Sequence, residues 1–297
     1  MKNFLHVTLG TLILFAVTTV WAQNKVIYGE DNRQDIIDVT NPVYLELAKS
    51  TAAMIEQSKM TFNGVDTYTI QSSTLQSRGV CSYARFSEQP TAANCSGFLV
   101  GEDLLVTAGH CMDSFSDCRM NKWVFDYNIR GEDTNALQVP ASSVYGCKEI
   151  LAQTLDAKTM NDFALIRLTR RVTDRRVLNF RTSGKIEDTS EVLVIGHPTG
   201  LPTKVSDGAF VRSNENEFFF VTNLDTFGGN SGSAVFNAKT GDIEGILVRG
   251  ETDYIIDPGK SCRVPNRCSM DGCRGEDVTR ITNLVEDIRK YSTIFSE

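Results

Sequence analysis

Three residues in this 297-residue chain would make an acyl-transfer centre if folding brings them together. Ser231 sits in Gly228-Gly229-Asn230-Ser231-Gly232-Ser233, His110 in Thr107-Ala108-Gly109-His110-Cys111, and Asp162 in Asn161-Asp162-Phe163-Ala164-Leu165-Ile166-Arg167-Leu168. A serine hydroxyl is a poor nucleophile until a base removes its proton, and that base needs a third group to fix its tautomer. The oxyanion that develops needs backbone N–H donors. Gly229 and Ser231 are the natural pair, because glycines on either side of the serine let the chain turn tightly. Read singly, each motif has an ordinary meaning: a Gly-Ser turn, a packed histidine, a solvated acid at a strand end. The order His, Asp, Ser, each in its own specific context, makes coincidence a poor account.

The elements that must position these groups read as short strands. Apolar runs at 98–100, 104–107, 192–195, 218–221 and 243–248 are separated by Gly, Asn, Asp and Pro clusters such as Gly196-His197-Pro198-Thr199-Gly200. That pattern predicts an all-β sandwich or barrel rather than βαβ units. His197, in one of these turns, reads as structural. The stretch 45–55 fits neither period well, although its alanines favour helix. Near the C-terminus, Ile281, Leu284, Val285 and Ile288 recur at helical spacing with charged residues between them. They predict an amphipathic helix whose mixed-charge polar face points to packing on the body.

Residues 1–22 read as a cleavable signal peptide: Lys2, an apolar run over 7–20, then Val20-Trp21-Ala22 as a cleavage site. The apolar run is short for a membrane span, and no later stretch is apolar enough for one. Removing the leader leaves 275 residues, one large domain or two fused lobes. The net charge of −7, or −8 without Lys2, argues against a nucleic-acid partner. Eight cysteines in an exported chain read first as disulfides. The spacing of Cys262, Cys268 and Cys273 suits no zinc site, and no metal or organic cofactor is implied. Nothing in the sequence asks for an oligomer, so a monomer is expected.

These motifs resemble the chymotrypsin/trypsin-like serine proteases, and more narrowly the bacterial branch containing the glutamyl endopeptidases (V8-like). "TAGHC", "NDFALIRL", "GGNSGSAVFN" and "CSGFLV" carry the likeness, and "VIYGEDNR" resembles the mature start of the bacterial branch. The resemblance implies two packed six-stranded antiparallel β-barrels with a C-terminal helix. It would span residues 26–297, with the lobe boundary near 170–185 and insertions near 56–90 and 251–274. It also implies a secreted (extracellular or periplasmic) endopeptidase acting on proteins or peptides, with His110, Asp162 and Ser231 catalytic and Gly229 and Ser231 forming the oxyanion hole. A Cys95–Cys111 disulfide is expected from the family's 16-residue spacing; the other six cysteines allow 15 pairings.

Asp225, six residues before Ser231, stands where trypsin-like members carry the acid of the S1 pocket, so a basic P1 residue is expected. Val248, Arg249 and Gly250 would complete that pocket. The branch's P1-reading histidine is missing from this strand, and Arg249 offers two alternatives: reading an acidic P1, or pairing with Asp225 and blocking the pocket. A cut after Lys25 would remove residues 23–25 as a propeptide and expose Val26. The activating ion pair of the animal enzymes cannot form, because Asn230 replaces its aspartate. The rival from another class is a secreted, non-catalytic binding module that presents the two cysteine-bearing insertions. Retention of the whole triad and of the oxyanion glycine favours the enzyme.

Overall fold

The computed structural model describes residues 26–131 and 136–292. The expected signal peptide and residues 23–25 lie outside the described residues. Among those described, no helix is long and apolar enough to cross a membrane.

Twelve strands build two closed barrels. The first contains β1 (Thr51–Glu56), β2 (Ala93–Leu99), β3 (Leu104–Thr107), β4 (Asn121–Phe125), β5 (Val144–Leu155) and β6 (Asp162–Leu168), paired antiparallel in the order β5-β6-β3-β2-β1-β4. Pairing of β4 with β5 closes it. The second contains β7 (Glu191–Gly196), β8 (Lys204–Ser213), β9 (Phe219–Thr222), β10 (Ala234–Asn237), β11 (Ile243–Arg249) and β12 (Glu276–Arg280), ordered β7-β10-β11-β12-β9-β8 and closed by β7 against β8. Residues 169–190 connect the two. This is the two-barrel, all-β architecture expected from the motifs.

Period-two side-chain alternation explains where the core lies. On β7, Val192 and Val194 point into the second barrel with Val211, Phe220 and Val278. Leu193 and Ile195 join a larger cluster with Phe98, Leu105 and Trp123, which is continuous across both barrels. The ambiguous stretch 45–55 resolves by the same logic. A short helix, Pro42–Ala48, is capped by Asn41 and opens with proline at its first turn. β1 then follows, with Ala52 and Met54 in one cluster and Ala53 and Ile55 in another. A strand buried on both faces shows no polar alternation, which is why its period was unreadable. At the C-terminus, a 3-10 turn (Ile281–Leu284) leads into a helix (Val285–Tyr291). Ile281, Leu284, Val285 and Ile288 are all buried.

Four disulfides join Cys81–Cys262, Cys95–Cys111, Cys118–Cys147 and Cys268–Cys273. The first ties together the two inserted segments. Residues 60–62 and 67–71 pair as a hairpin and extend to 136–140, while 254–256 pair with 263–265.

Candidate active site

His110 lies in a 3-10 turn, Gly109–Cys111, directly after β3. Gly109 is required there, because a Cβ would run into the carbonyl oxygens of Thr154 and Phe163. Asp162 opens β6, which pairs with β3 and so sets the acid beside the turn. Its Oδ2 lies 2.7 Å from His110 Nδ1, and its Oδ1 accepts from the His110 backbone N–H at 3.2 Å. With an ionised carboxylate on Nδ1, that nitrogen carries the proton and Nε2 is left with its lone pair, the tautomer a general base needs.

Ser231 reaches this site from the second barrel. Its carbonyl accepts from the Ser96 N–H at 2.8 Å and lies 3.8 Å from Cys111 Sγ, next in the chain to His110. Gly232 allows this approach, since a Cβ on it would strike the Ser96 carbonyl oxygen and the Thr107 hydroxyl. His110 Nε2 and Ser231 Oγ are both buried, and neither has a hydrogen-bond partner among the described residues. Buried polar atoms are normally paired; these two lie on adjoining turns, while Thr51, Asn121, Trp123, Ser206 and Thr279 also carry unpaired buried atoms. Catalytic hydrogen bonds often tighten only when substrate is present.

Around Ser231 the backbone bonds are specific. Thr199 N–H donates to the Gly228 carbonyl at 2.5 Å, Asn230 N–H to Phe227, Gly232 N–H to Leu247 and Ser233 N–H to Asn230. The Gly229 and Ser231 N–H groups take no part in these bonds. Gly229 stands at φ +93°, a conformation that glycine adopts without strain.

The expected S1 residues behave differently from one another. Asp225 is buried, and the N-terminal segment occupies its carboxylate: Oδ1 accepts from Tyr28 N–H at 2.7 Å and Oδ2 from Asn32 N–H at 2.9 Å. Burial pushes its pKa up to about 7 despite these two donors. Arg249 does not pair with Asp225. Its Nε donates to Asp277 at 3.0 Å, one terminal nitrogen donates to the Met160 carbonyl at 2.9 Å, and the other lies 3.8 Å from Asp162 Oδ2. Arg249 thereby lines a cavity of about 290 Å³ with His110, Leu155, Ala157 and Met160, on the base side of the site. Val248 is buried. Gly250 faces Glu276, whose carboxylate occupies the space a Cβ on residue 250 would need.

Glu276 belongs to none of the sequence motifs. It opens β12 and is fully buried, with Oε2 accepting from the Thr226 hydroxyl at 2.5 Å and Oε1 from Glu251 N–H at 3.3 Å. It therefore bridges the segment before Ser231 and the end of β11. Its signal was faint: an acid at a strand start, as at Asp162. A second cavity, about 430 Å³, borders Gly228 and Gly229 and is lined also by Lys59, Arg78 and Asp253.

The Sγ atoms of Cys95 and Cys111 lie near His110. They are joined as a disulfide, so they offer no thiolate to a metal.

Three likenesses to known proteins are found. Trypsin Blo t 3 of Blomia tropicalis is 28% identical over 130 residues, covering 40% of this chain and 46% of that protein, so the match spans less than half of the relative. A solved glutamyl endopeptidase bound to MPD is similar over 92% of this chain and 100% of its own, at 16% identity and a TM-score of 0.48. The family model for the trypsin-like peptidase domain matches residues 95–246, from the cysteine bonded to Cys111, through the His110, Asp162 and Ser231 turns, into β11. Because that match takes in more than half of the sequence, the chain belongs to the trypsin-like peptidase domain family.

Proposed function

We propose that the chain is a serine endopeptidase working through an acyl-enzyme. His110 Nε2 takes the Ser231 proton as Oγ attacks the scissile carbonyl. Asp162 keeps the imidazole in its tautomer and stabilises the imidazolium, while the Gly229 and Ser231 N–H groups receive the oxyanion. The proton then passes from His110 to the leaving amine, and water releases the acyl group by the same route. The observation that carries this reading is the 2.7 Å His110–Asp162 bond beside an unpaired, buried Ser231 hydroxyl. A fluorophosphonate probe should label the wild-type protein and leave Ser231→Ala unlabelled. Equal labelling of the two, or none of either, sinks it and favours the non-catalytic binding module.

The proposal extends to export and to the cut bond. Four disulfides support an oxidising compartment, extracellular or periplasmic, reached through the leader at 1–22. A cut after Lys25 would leave Val26 as the first residue. Its carbonyl accepts from Thr226 N–H at 3.2 Å, which supports a role for the new terminus beneath the serine turn.

For P1 we retain the basic preference first read from Asp225, now resting on Glu276 instead. A side chain entering between residues 225–228 and 248–251 meets Glu276, which spans both walls, whereas Asp225 is committed to the N-terminal backbone. In a peptide panel varied only at P1, Arg and Lys should lead, and Glu276→Gln should erode that lead more than tenfold, the scale of a lost charged pair. A wild-type preference for Glu would overturn it.

A further inference from the structure

His197 is one of two histidines among the described residues, and the mechanism above does not use it. It is fully buried and stacked on Tyr127. Desolvation, helped by the charge of Lys204, drops its pKa to about 3 and favours the neutral imidazole. Its backbone N–H donates to Ser96 Oγ at 3.0 Å, its Nδ1 lies 3.0 Å from the same oxygen, and its Nε2 lies 3.1 Å from Thr203 Oγ1. Ser96 Oγ in turn donates to the Gly229 carbonyl at 2.9 Å.

Counting protons fixes the direction of this chain. A neutral imidazole has one N–H and each hydroxyl has one hydrogen. If Thr203 donates to Nε2 and Nδ1 donates to Ser96, the Ser96 hydrogen is free for Gly229 and every group is satisfied. The Tyr127 carbonyl, within reach of the Thr203 hydroxyl, is already paired with Thr203 N–H at 2.8 Å. The reverse direction spends the Ser96 hydrogen on Nδ1 and strips the Gly229 carbonyl of that donor. Burial of polar groups favours the first arrangement.

Ser96 therefore grips the serine turn at two points: Oγ–H on the Gly229 carbonyl and N–H on the Ser231 carbonyl. Thr199, two residues after His197, holds the Gly228 carbonyl and with it the peptide plane that presents the Gly229 N–H. Peptide planes 228–229, 229–230 and 231–232 are thus pinned from outside the turn, and the one that carries the Ser231 N–H is held within it by the Ser233 N–H on the Asn230 carbonyl at 2.9 Å. We propose that Ser96, oriented by His197, is the positioning residue of the oxyanion turn, aiming the Gly229 and Ser231 N–H groups before substrate arrives.

This inference rests on the peptidase reading, and the test separates the two. The oxyanion exists only in the transition state and the intermediate, so loosening its donors lowers kcat and leaves substrate binding unchanged. Ser96→Ala should lose about tenfold to a hundredfold in kcat with KM within about twofold, a share of what removing an oxyanion donor outright costs. Affinity for a peptidyl trifluoromethyl ketone, which places an oxyanion in the hole, should fall in parallel, while that for the product peptide acid should not. His197→Asn, whose amide N–H can replace Nδ1–H toward Ser96, should keep clearly more kcat than His197→Ala, whatever the two do to thermal stability. No fluorophosphonate labelling of the wild type would sink the peptidase reading and this inference with it. A labelled wild type with unchanged kcat and ketone affinity in Ser96→Ala, or equal kcat in the two His197 variants, would sink the inference alone.

Discussion

The proposed base and the proposed nucleophile lie on adjoining turns but are held in contrasting ways. His110 and Asp162 belong to neighbouring strands of one barrel. β3–β6 pairing, one glycine at 109 and two hydrogen bonds accepted by a single carboxylate suffice to fix them. The Ser231 turn draws its supports from the whole chain. Tyr28 and Asn32 hold Asp225, Ser96 holds Gly229 and Ser231, Thr199 holds Gly228, the Asp253 carboxylate accepts from Gly228 N–H at 2.9 Å, and Glu276 holds Thr226. A base needs one angle and one tautomer, which a single partner can set. An oxyanion hole needs two N–H groups aimed at a point, so each peptide plane of the turn must be held, and most of the holds come from outside it. The nucleophile side should accordingly be the more fragile functionally.

The largest test of that contrast is Gly229→Ala. Residue 229 stands at φ +93°, and a Cβ there would lie 2.5 Å from the His197 carbonyl oxygen and 2.8 Å from Gly200 N. The turn must move, so kcat should fall about 10²–10³-fold, the range for a lost oxyanion donor, while the His110–Asp162 pair stays intact. Steady-state kinetics normalised to active-site concentration measure it, and a kcat within twofold of wild type would break the comparison. Replacing the Cys95–Cys111 disulfide by two alanines comes next, because that bond fastens the strand carrying Ser96 to the turn carrying His110. Closing a loop of this length should be worth about 3 kcal/mol. Urea unfolding should show that loss with a smaller fall in kcat than Gly229→Ala. The opposite ranking would mean the two regions are not separately held.

The same contrast governs what the sequence reveals. The surroundings of His110 and Asp162 are a few consecutive residues each, and apolar runs ending in turns announce the strands that carry them. Those runs predict an all-β sandwich or barrel, and the resemblance carried by the motifs implies its two barrels. The supports of the serine turn are invisible by comparison, since Tyr28 and Asp225 are 197 residues apart and backbone N–H donors leave no mark on composition. Arg249 illustrates the limit. Its charge suggested an ion pair, but among nearby acids only packing chooses Asp277 over Asp225. Three of the four disulfides were likewise one solution among many, because pairing depends on where inserted segments dock.

A subtler test uses the charge buried on the nucleophile side. With its pKa raised to about 7, Asp225 binds a proton more readily in the folded chain than in the unfolded one, where it titrates near the ordinary aspartate value of 3.8. Stability from this group is therefore fully present below about pH 4 and is lost as pH rises through 7. Between pH 5 and pH 7 its share of that loss should be about 2 kcal/mol, from 1.36 kcal/mol per pH unit with one proton at stake. Asp225→Asn cannot titrate, so it should be the less stable protein at low pH, where one of its amide hydrogens faces a backbone donor. The gap to wild type should narrow by about that amount as pH reaches 7. Denaturant midpoints of both proteins across this window decide it. Parallel curves would mean that the Tyr28 and Asn32 donors offset the desolvation and keep Asp225 ionised, and the tether beneath the serine turn would then be a charged one throughout.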